Sequence, residues 1–225
     1  MQGGELLMCV SPYIAAALGL VQSRHRDVWQ RWVTVSYKIG AHLPESLLVV
    51  SVQHMGKLDM LLRCMEDERR CFRDDGVDLN LCDFQVILSQ AWVGGVYEIV
   101  RLLDDQSRKL ESGAEGLKAL HHDLRLIRVP LEKHELAGDR KLKDPLTMQR
   151  RPPRDNASNT YVYNMSNPRR AHIMPAGVSE NGSVKWEATD VEASVSNWLE
   201  RRSLADRFLE LWDARSTDQP PSPTG

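Results

Sequence analysis

The strongest constraint on the fold is an apolar pattern with steps of three and four residues between positions 45 and 73. Its members are Leu48, Ser51, Met55, Leu58, Leu62, Met65 and Phe72. Residues at this spacing lie along one face of an α-helix. Pro44 precedes the pattern, and the turn-forming stretch Asp-Asp-Gly at 74–76 follows it. The sequence therefore predicts one long helix over residues 45–73.

A second stripe of the same spacing runs over about residues 81–106. Its members are Phe84, Leu88, Ala91, Gly95, Ile99 and Leu102, widened by Ile87, Val96, Val100 and Leu103. So wide a stripe is typical of a helix at the centre of a bundle. Gly94 and Gly95 each weaken a helix interior by about 1 kcal/mol relative to Ala, which the close approach of another helix or a kink would explain. Two long helices with a short link predict an antiparallel helical hairpin.

Further helices are expected on both sides of this hairpin. Residues 23–40 fit both a helical stripe and a strand alternation, and the helical neighbours favour a helix. After a linker at 113–116, another helix has its apolar side chains at Leu117, Leu120, Leu124 and Ile127. Pro130 either breaks that helix or starts a new helical turn. Residues 1–22 are interpreted as a leader or a short helix.

The C-terminal third has strand signals followed by a helix signal. Asn181-Gly182 separates two short runs within 171–189 and predicts a β-hairpin, to which residues 161–163 would add a third strand. Thr189 and Glu192 have the spacing of a capping box, which predicts a helix over 190–213. Its apolar face would comprise Val195, Trp198, Leu199, Ala205, Phe208, Leu209 and Trp212. Residues 214–225 are predicted to be a disordered tail.

The predicted fold class is mainly α: a helical bundle over 23–138, a basic loop and β-hairpin insert over 139–189, and a C-terminal helix packed on the bundle. Hydrophobic residues make up 42% of the 225 residues and charged residues 27%, which supports a sizeable core. The net charge of −2 gives no whole-protein field toward nucleic acid or membrane.

Composition also bounds the chemistry and the compartment. Four cysteines without a C-x-x-C pair favour a reduced, cytoplasmic compartment and predict no metal site. The apolar stretch 6–21 is too short and too interrupted, by Pro12, to predict a membrane span. The chain has no phosphate-binding loop, dinucleotide fingerprint, nucleophile elbow or H-E-x-x-H motif, so no cofactor is predicted. Aromatic residues make up 6%, without an aromatic signature of nucleic-acid binding.

One motif bears on activity. Arg128 and His134 are separated by five residues, and this spacing resembles the Arg-x(4–6)-His signature of the HEPN superfamily of helical bundles. The resemblance covers residues 45–138 and implies a metal-independent ribonuclease that works as a homodimer, although other members bind nucleic acid without cleaving it. Arg128 would hold a phosphate and His134 would transfer a proton, with Glu98 as an orienting carboxylate.

The same residues also fit a purely structural interpretation. On an unbroken helix six steps rotate by about 240°, so the side chains of Arg128 and His134 would diverge unless the chain breaks at Pro130. Arg128 could instead pair with Glu132 one helical turn away. In that case His134 is only a residue at the edge of the core.

Electrostatic asymmetry gives an alternative function that does not depend on catalysis. Residues 133–170, which we call the basic segment, contain nine Lys and Arg against four Asp and Glu. The arginines expected to contact phosphates are Arg150, Arg151, Arg154, Arg169 and Arg170. Such a loop beside a helical bundle predicts a non-enzymatic module that binds RNA or DNA, or another protein. A solvated loop that balances acidic helices is the competing interpretation.

Overall fold

The computed structural model describes residues 9–43, 46–71, 79–109, 115–149 and 159–213. Within them the helices are α1 (Val10–Arg24), α2 (Arg26–His42), α3 (Leu48–Cys71), α4 (Leu79–Lys109), α5 (Glu115–Lys133) and α6 (Arg201–Asp213). The strands are β1 (Leu146–Gln149), β2 (Thr160–Tyr163), β3 (Ala176–Val178), β4 (Val184–Asp190) and β5 (Val195–Glu200), and Asp139–Lys141 is a short 3-10 helix. The predicted class, mainly α with a small hairpin element near the C-terminus, is confirmed.

The two long helices predicted from the apolar stripes are α3 and α4, and they form the centre of the bundle. The fully buried core includes Trp32 of α2, Val52 of α3, Trp92 and Val96 of α4, and Leu124 of α5. Gly95 permits the close approach of α3, because a Cβ at this position would collide with the sulfur of Met55. Gly94 is under no such restriction. Close packing of helices therefore accounts for the second glycine of the pair.

The part of α4 from Cys82 to Ser107 is long and apolar enough to cross a membrane by length and composition alone. The middle of this stretch, however, packs in the bundle, where Trp92, Val93, Val96 and Val100 have no measurable exposure. Three members of the predicted stripe, Phe84, Ile87 and Leu102, are exposed instead. The centre of α4 thus has the environment of a core helix.

Pro130 lies inside α5 without breaking it. The helix continues for three residues to Lys133, and His134 ends it with a left-handed φ of 55°. Both predicted alternatives, a break at Pro130 and a new helical turn there, are wrong. Near the end of a helix the ring displaces only one internal hydrogen bond, and the buried proline packs in the core.

The strands form two separate antiparallel sheets. In the first, β1 pairs with β2, so that residues 161–163 belong to their own hairpin and are not the third strand of the predicted one. In the second, the order is β3-β4-β5, and the predicted turn at Asn181-Gly182 joins β3 to β4. Gly182 has a φ of 77°, and a Cβ there would collide with the backbone carbonyl oxygen of Glu66 on α3. Only glycine allows the turn to pack this closely against α3.

The predicted helix over 190–213 begins too early. Helix α6 starts at Arg201, and residues 195–200 form β5, which pairs with β4 from Asp190↔Val195 to Lys185↔Glu200. Asp190 accepts hydrogen bonds from the backbone N–H groups of Glu192 and Ala193, at 2.9 and 3.2 Å. These bonds form a tight β4–β5 turn where the capping box was predicted.

Docking of the C-terminal helix on the bundle is observed, through the buried Leu204, Phe208, Leu209 and Trp212. Phe208 stacks on Trp32 with ring centroids 5.2 Å apart. Val195 and Trp198, which were predicted to share this buried face, are 47% and 43% exposed on β5. Trp198 pairs with Glu187 and lies on the face of the sheet opposite the core, whereas Val195 lies on the other face, at the start of the strand beside the β4–β5 turn.

Helices α3 and α6 are also joined by a buried cluster of charges. Arg201 contacts Asp59 and donates to Glu66 at 2.6 and 3.0 Å, while Arg63 donates to Asp59 at 2.9 Å. All four residues are at least 96% buried. Burial alone would raise the pKa of Asp59, but Arg201 and Arg63 hold this pKa below its ordinary value. We call these four residues the buried charge cluster.

Candidate nucleic-acid interface

Several cations of the basic segment are exposed and have no carboxylate partner among the residues that the structure describes. Lys133, Arg140, Lys143 and Arg169 all belong to this group, and no ion pair joins any of them to a described residue. The arginines of the helical body behave differently, and nine of them pair with carboxylates: Arg24, Arg31, Arg63, Arg70, Arg101, Arg128, Arg201, Arg202 and Arg207. The basic segment therefore contains exposed cations that no described carboxylate pairs with.

Arg150, Arg151 and Arg154 lie outside the described residues. Their place in the chain is still fixed by the first hairpin, since Gln149 at the end of β1 pairs with Thr160 at the start of β2. Arg150 and Arg151 follow Gln149 directly in the sequence. They are therefore attached to the same end of the hairpin.

Arg170 differs from the exposed cations of the basic segment, because it has carboxylate partners. Its Nε donates to Asp139 at 2.8 Å and its Nη2 donates to Glu135 at 2.8 Å, and its side chain is only 20% exposed. Two of the donor nitrogens of Arg170 are thus engaged by carboxylates, and its predicted contact with phosphates stays a prediction. Arg170 forms ion pairs with Asp139 and Glu135, which lie more than 30 residues before it in the sequence.

The contacts of Arg170 belong to an anchor that holds the β1–β2 hairpin on the end of α5. Tyr163 of β2 donates its hydroxyl to Asp139 at 2.9 Å and accepts the backbone N–H of Leu136 at 3.2 Å. Burial raises the pKa of Tyr163, so the hydroxyl stays protonated and can donate. The anchor fixes the position of the hairpin from which Arg150 and Arg151 extend.

The three residues predicted to be catalytic are only partly brought together. Arg128 pairs with Glu98 of α4 and with Glu132 of α5, each at 3.0 Å, and its guanidinium lies 4.6 Å from the centre of the Tyr97 ring. Glu98 is therefore beside Arg128, and its role as an orienting carboxylate stays a prediction. The pair of Arg128 and Glu132 is the one that the structural interpretation predicts.

His134 follows the end of α5, with an exposed side chain. No hydrogen bond or ion pair joins it to Arg128 within the described ranges. Its backbone carbonyl instead accepts the N–H of His172 at 2.7 Å. The role of His134 that the structure records is to hold another histidine in place.

His172 is 2% exposed and lines a cleft of about 300 Å³ between the two sheets. Its Nδ1 shares a 2.7 Å hydrogen bond with the hydroxyl of Tyr161, and its Nε2 is buried without a hydrogen-bond partner among the described atoms. Burial lowers the pKa of His172 to about 4, so the ring is neutral at pH 7. The other residues that line the cleft are Thr147, Met148, Gln149, Pro175, Glu187, Thr189 and Ser196.

The cleft was missed at the level of sequence, although one signal was available. Val184, Trp186 and Ala188 alternate with Lys185, Glu187 and Thr189, which is the pattern of a strand with one buried and one polar face. The pattern indicates which side chains face away from the core. It does not indicate that the β1–β2 hairpin faces them across a cleft.

Comparisons with protein-family models, curated proteins and solved structures find no match to this chain. Within the described ranges no three His, Cys, Asp or Glu side chains form a group that could hold a metal ion. The function must therefore be argued from the geometry of the site.

Proposed function

We propose that this protein binds nucleic acid, RNA or DNA, through the basic segment. The observation that carries the proposal is the contrast between paired and unpaired cations. Nine arginines of the helical body pair with carboxylates, and three, Arg26, Arg69 and Arg125, have no described ion pair. In the basic segment four cations are exposed without a described partner: Lys133, Arg140, Lys143 and Arg169. Cations that are not neutralised by the protein are available to phosphates.

The β1–β2 hairpin supports the same proposal. It is anchored at one end by Tyr163 and Asp139, and at its other end the chain continues into Arg150 and Arg151. Guanidinium groups bind phosphate oxygens with two parallel hydrogen bonds. In the sequence these two arginines follow directly on the last residue of β1.

Salt dependence provides the test. If the basic segment neutralises Z phosphates of a single strand, log K falls with log salt at a slope of about −0.7Z. The double substitution Arg150→Ala with Arg151→Ala should flatten the slope by about 1.4 if both contact phosphates. Fluorescence anisotropy of a labelled U15 RNA over a range of salt concentrations measures this slope.

A matched control removes the same charge elsewhere. Arg26 and Arg31 lie on α2, outside the basic segment, and the double substitution to Ala also lowers the net charge by two. It should leave the slope unchanged. Absence of binding at low salt, or equal slopes for wild type and the Arg150 and Arg151 variant, would refute the basic segment as the contact surface.

Metal-independent RNA cleavage is a second candidate function, supported by the Arg128 and His134 spacing and by the placement of Glu98 beside Arg128. Arg128 is flanked by two carboxylates, so it would have to release one of them to hold a phosphate. Incubation of the RNA with the protein and a metal chelator distinguishes the two functions. Cleavage that disappears in His134→Ala supports the enzyme, and intact RNA leaves binding alone.

A further inference from the structure

Part of the apolar surface of α4 lies on the outside of the bundle. Phe84 and Ile87 are 61% and 54% exposed, and Ala91 is exposed as well. Gly94 follows Ala91 at the same helical spacing, so the four residues lie along one face of the helix. We call Phe84, Ile87, Ala91 and Gly94 the outer face of α4.

The glycine at the end of this face is not explained by the packing of the chain on itself. A Cβ on Gly94 would meet Oε1 of Glu132 at 3.9 Å, an ordinary contact distance, and no other described atom within 4 Å. Its φ is not in the left-handed region, and it lies inside a continuous helix, where glycine is less favourable than alanine. Gly95 differs, because Met55 occupies the place of its Cβ. A glycine on an exposed helix face allows a second helix to approach closely.

The outer face is also free of charge. The sequence from Phe84 to Tyr97 contains no Lys, Arg, His, Asp or Glu. A contiguous apolar surface of this kind is typical of a contact with another apolar surface, and it offers nothing to a phosphate. Residues beside a two-fold axis meet their own copies, so a stretch without charges avoids repulsion between like charges there.

A second copy of α4 fits the outer face in an antiparallel arrangement. In a two-fold symmetric contact, a residue i that meets residue j of the other copy is repeated by j meeting i. The pairs Phe84 with Gly94 and Ile87 with Ala91 have the same midpoint, position 89. One axis at this position therefore places both large side chains opposite small residues, which is how the surfaces of packed helices interdigitate.

We propose that the protein forms a homodimer through the outer face of α4, with the two helices antiparallel and Phe84 of each copy packed over Gly94 of the other. An unrelated apolar helix could contact the same residues. A common midpoint for both large-to-small pairs, however, is a property of a surface that is complementary to itself. The dimer requires neither binding nor cleavage of nucleic acid, so its failure would leave the proposed function unaffected.

The size of the face determines how the dimer should behave. From Phe84 to Gly94 the helix rises by about 15 Å, which is short for an interface of the standard size of about 1,600 Å². The dimer should therefore dissociate on dilution. Sedimentation velocity over about a hundredfold range of protein concentration should show the mass rise from 25.6 kDa toward twice that value. A mass that stays at 25.6 kDa up to the highest concentration would overturn the proposal.

Two isoleucines offer a matched pair of variants. Ile87 of α4 and Ile14 of α1 are 54% and 55% exposed, so substitution by Arg is equally compatible with the folded chain at both sites. Ile87→Arg places two unpaired charges in the dimer contact and should raise the Kd at least about a hundredfold. Ile14→Arg should leave the Kd unchanged. The opposite result would place the contact on α1 and refute the outer face of α4.

Circular dichroism establishes that each variant is folded. If Ile87→Arg is not, Ala91→Arg replaces it, because Ala91 is exposed and Arg favours a helix almost as well as Ala. A folded Ala91→Arg protein should likewise be monomeric. A folded variant of either kind that dimerises as the wild type does would contradict the proposal.

An exchange of sizes tests the register. Gly94→Leu alone should weaken the dimer about tenfold or more, because Leu would collide with Phe84 of the other copy. Phe84→Ala alone should weaken it by removing the ring from the contact. The double variant should restore dimerisation to within about tenfold of the wild type, since a large residue again meets a small one. A double variant that is weaker than both single variants would refute the pairing of 84 with 94.

Salt separates this contact from one made by the basic segment. An apolar contact is not weakened by salt, whereas a dimer held by the exposed cations would dissociate as the salt concentration rises. The Kd of the wild-type dimer should therefore stay constant, or fall slightly, between low and high salt. Dissociation at high salt would assign the dimer to charged residues and overturn the role of α4.

Discussion

The buried charge cluster and the basic segment use the same residue types in opposite ways. In the cluster Arg63 and Arg201 are enclosed between α3 and α6 and bound to Asp59 and Glu66. In the basic segment Arg140, Lys143 and Arg169 point into solvent without a described partner. The comparison teaches that an arginine bears on function according to whether its charge is already satisfied inside the protein.

The largest effect on stability should come from removing a cation from the buried charge cluster. Arg201→Met keeps a long side chain but leaves Asp59 and Glu66 without their main cation, so it should lower the free energy of unfolding by about 3–5 kcal/mol. Urea denaturation measures this loss. The exposed pair of Arg31 and Asp213 is the control, and Arg31→Ala should cost less than about 1 kcal/mol.

Equal stabilities of the Arg201→Met and Arg31→Ala variants would show that buried and exposed ion pairs contribute alike to stability, which contradicts the prediction.

A triple variant tests whether the buried charge cluster acts as a unit. Asp59→Asn and Glu66→Gln remove the charges that Arg201→Met leaves uncompensated, so together the three changes should cost less than the sum of their separate effects. Additive losses would show that the cluster does not act as a unit.

A medium effect is expected from His172, a titratable group that is buried although it follows the basic segment by only two residues. Its pKa is about 4 in the folded protein and about 6.5 when unfolded. Below pH 6.5 the unfolded chain therefore binds the proton first, and stability falls as the pH falls from 6.5 toward 4. The loss should be about 2–3 kcal/mol greater than in His172→Gln.

Urea denaturation at a series of pH values gives this difference. A wild-type profile that runs parallel to that of His172→Gln between pH 4 and 6.5 would contradict the burial of a neutral imidazole. The result would also bear on the cleft, because His172 reaches it in the neutral form. His172 and Arg169 are three residues apart in the sequence, but His172 is buried and Arg169 is exposed. Burial, and not position in the sequence, therefore makes the difference between them.

The smallest effect on stability should come from the basic segment itself. Arg140→Ala with Lys143→Ala removes two exposed cations that no described ion pair uses, so the free energy of unfolding should change by less than about 0.5 kcal/mol. The same variant should weaken nucleic-acid binding and flatten its salt dependence. A large loss of stability would mean that these cations have a structural role, and the contrast with the buried cluster would fail.

Much of the helical part could be predicted because its information is local. The apolar stripes of α3 and α4 repeat over about five turns or more, and the hairpin turn at Gly182 needs a residue that tolerates a positive φ. These signals need no knowledge of distant residues. The boundary at Arg201 could not be predicted in this way, because β5 forms only when β4 supplies its hydrogen-bond partners.

The features of the candidate site can likewise be divided into those that depend on local sequence and those that depend on distant residues. The sequence by itself determined the excess of cations in the basic segment, the bundle core and the turn at Asn181-Gly182, since composition, periodicity and backbone preference are properties of short stretches. Only the tertiary structure decided that Arg170 forms an ion pair with Asp139, that Arg201 is buried, and that Trp198 is exposed beside a cleft. The physical reason is that these charges are compensated by partners 31 and 142 residues away in the chain, which only folding brings within hydrogen-bonding distance.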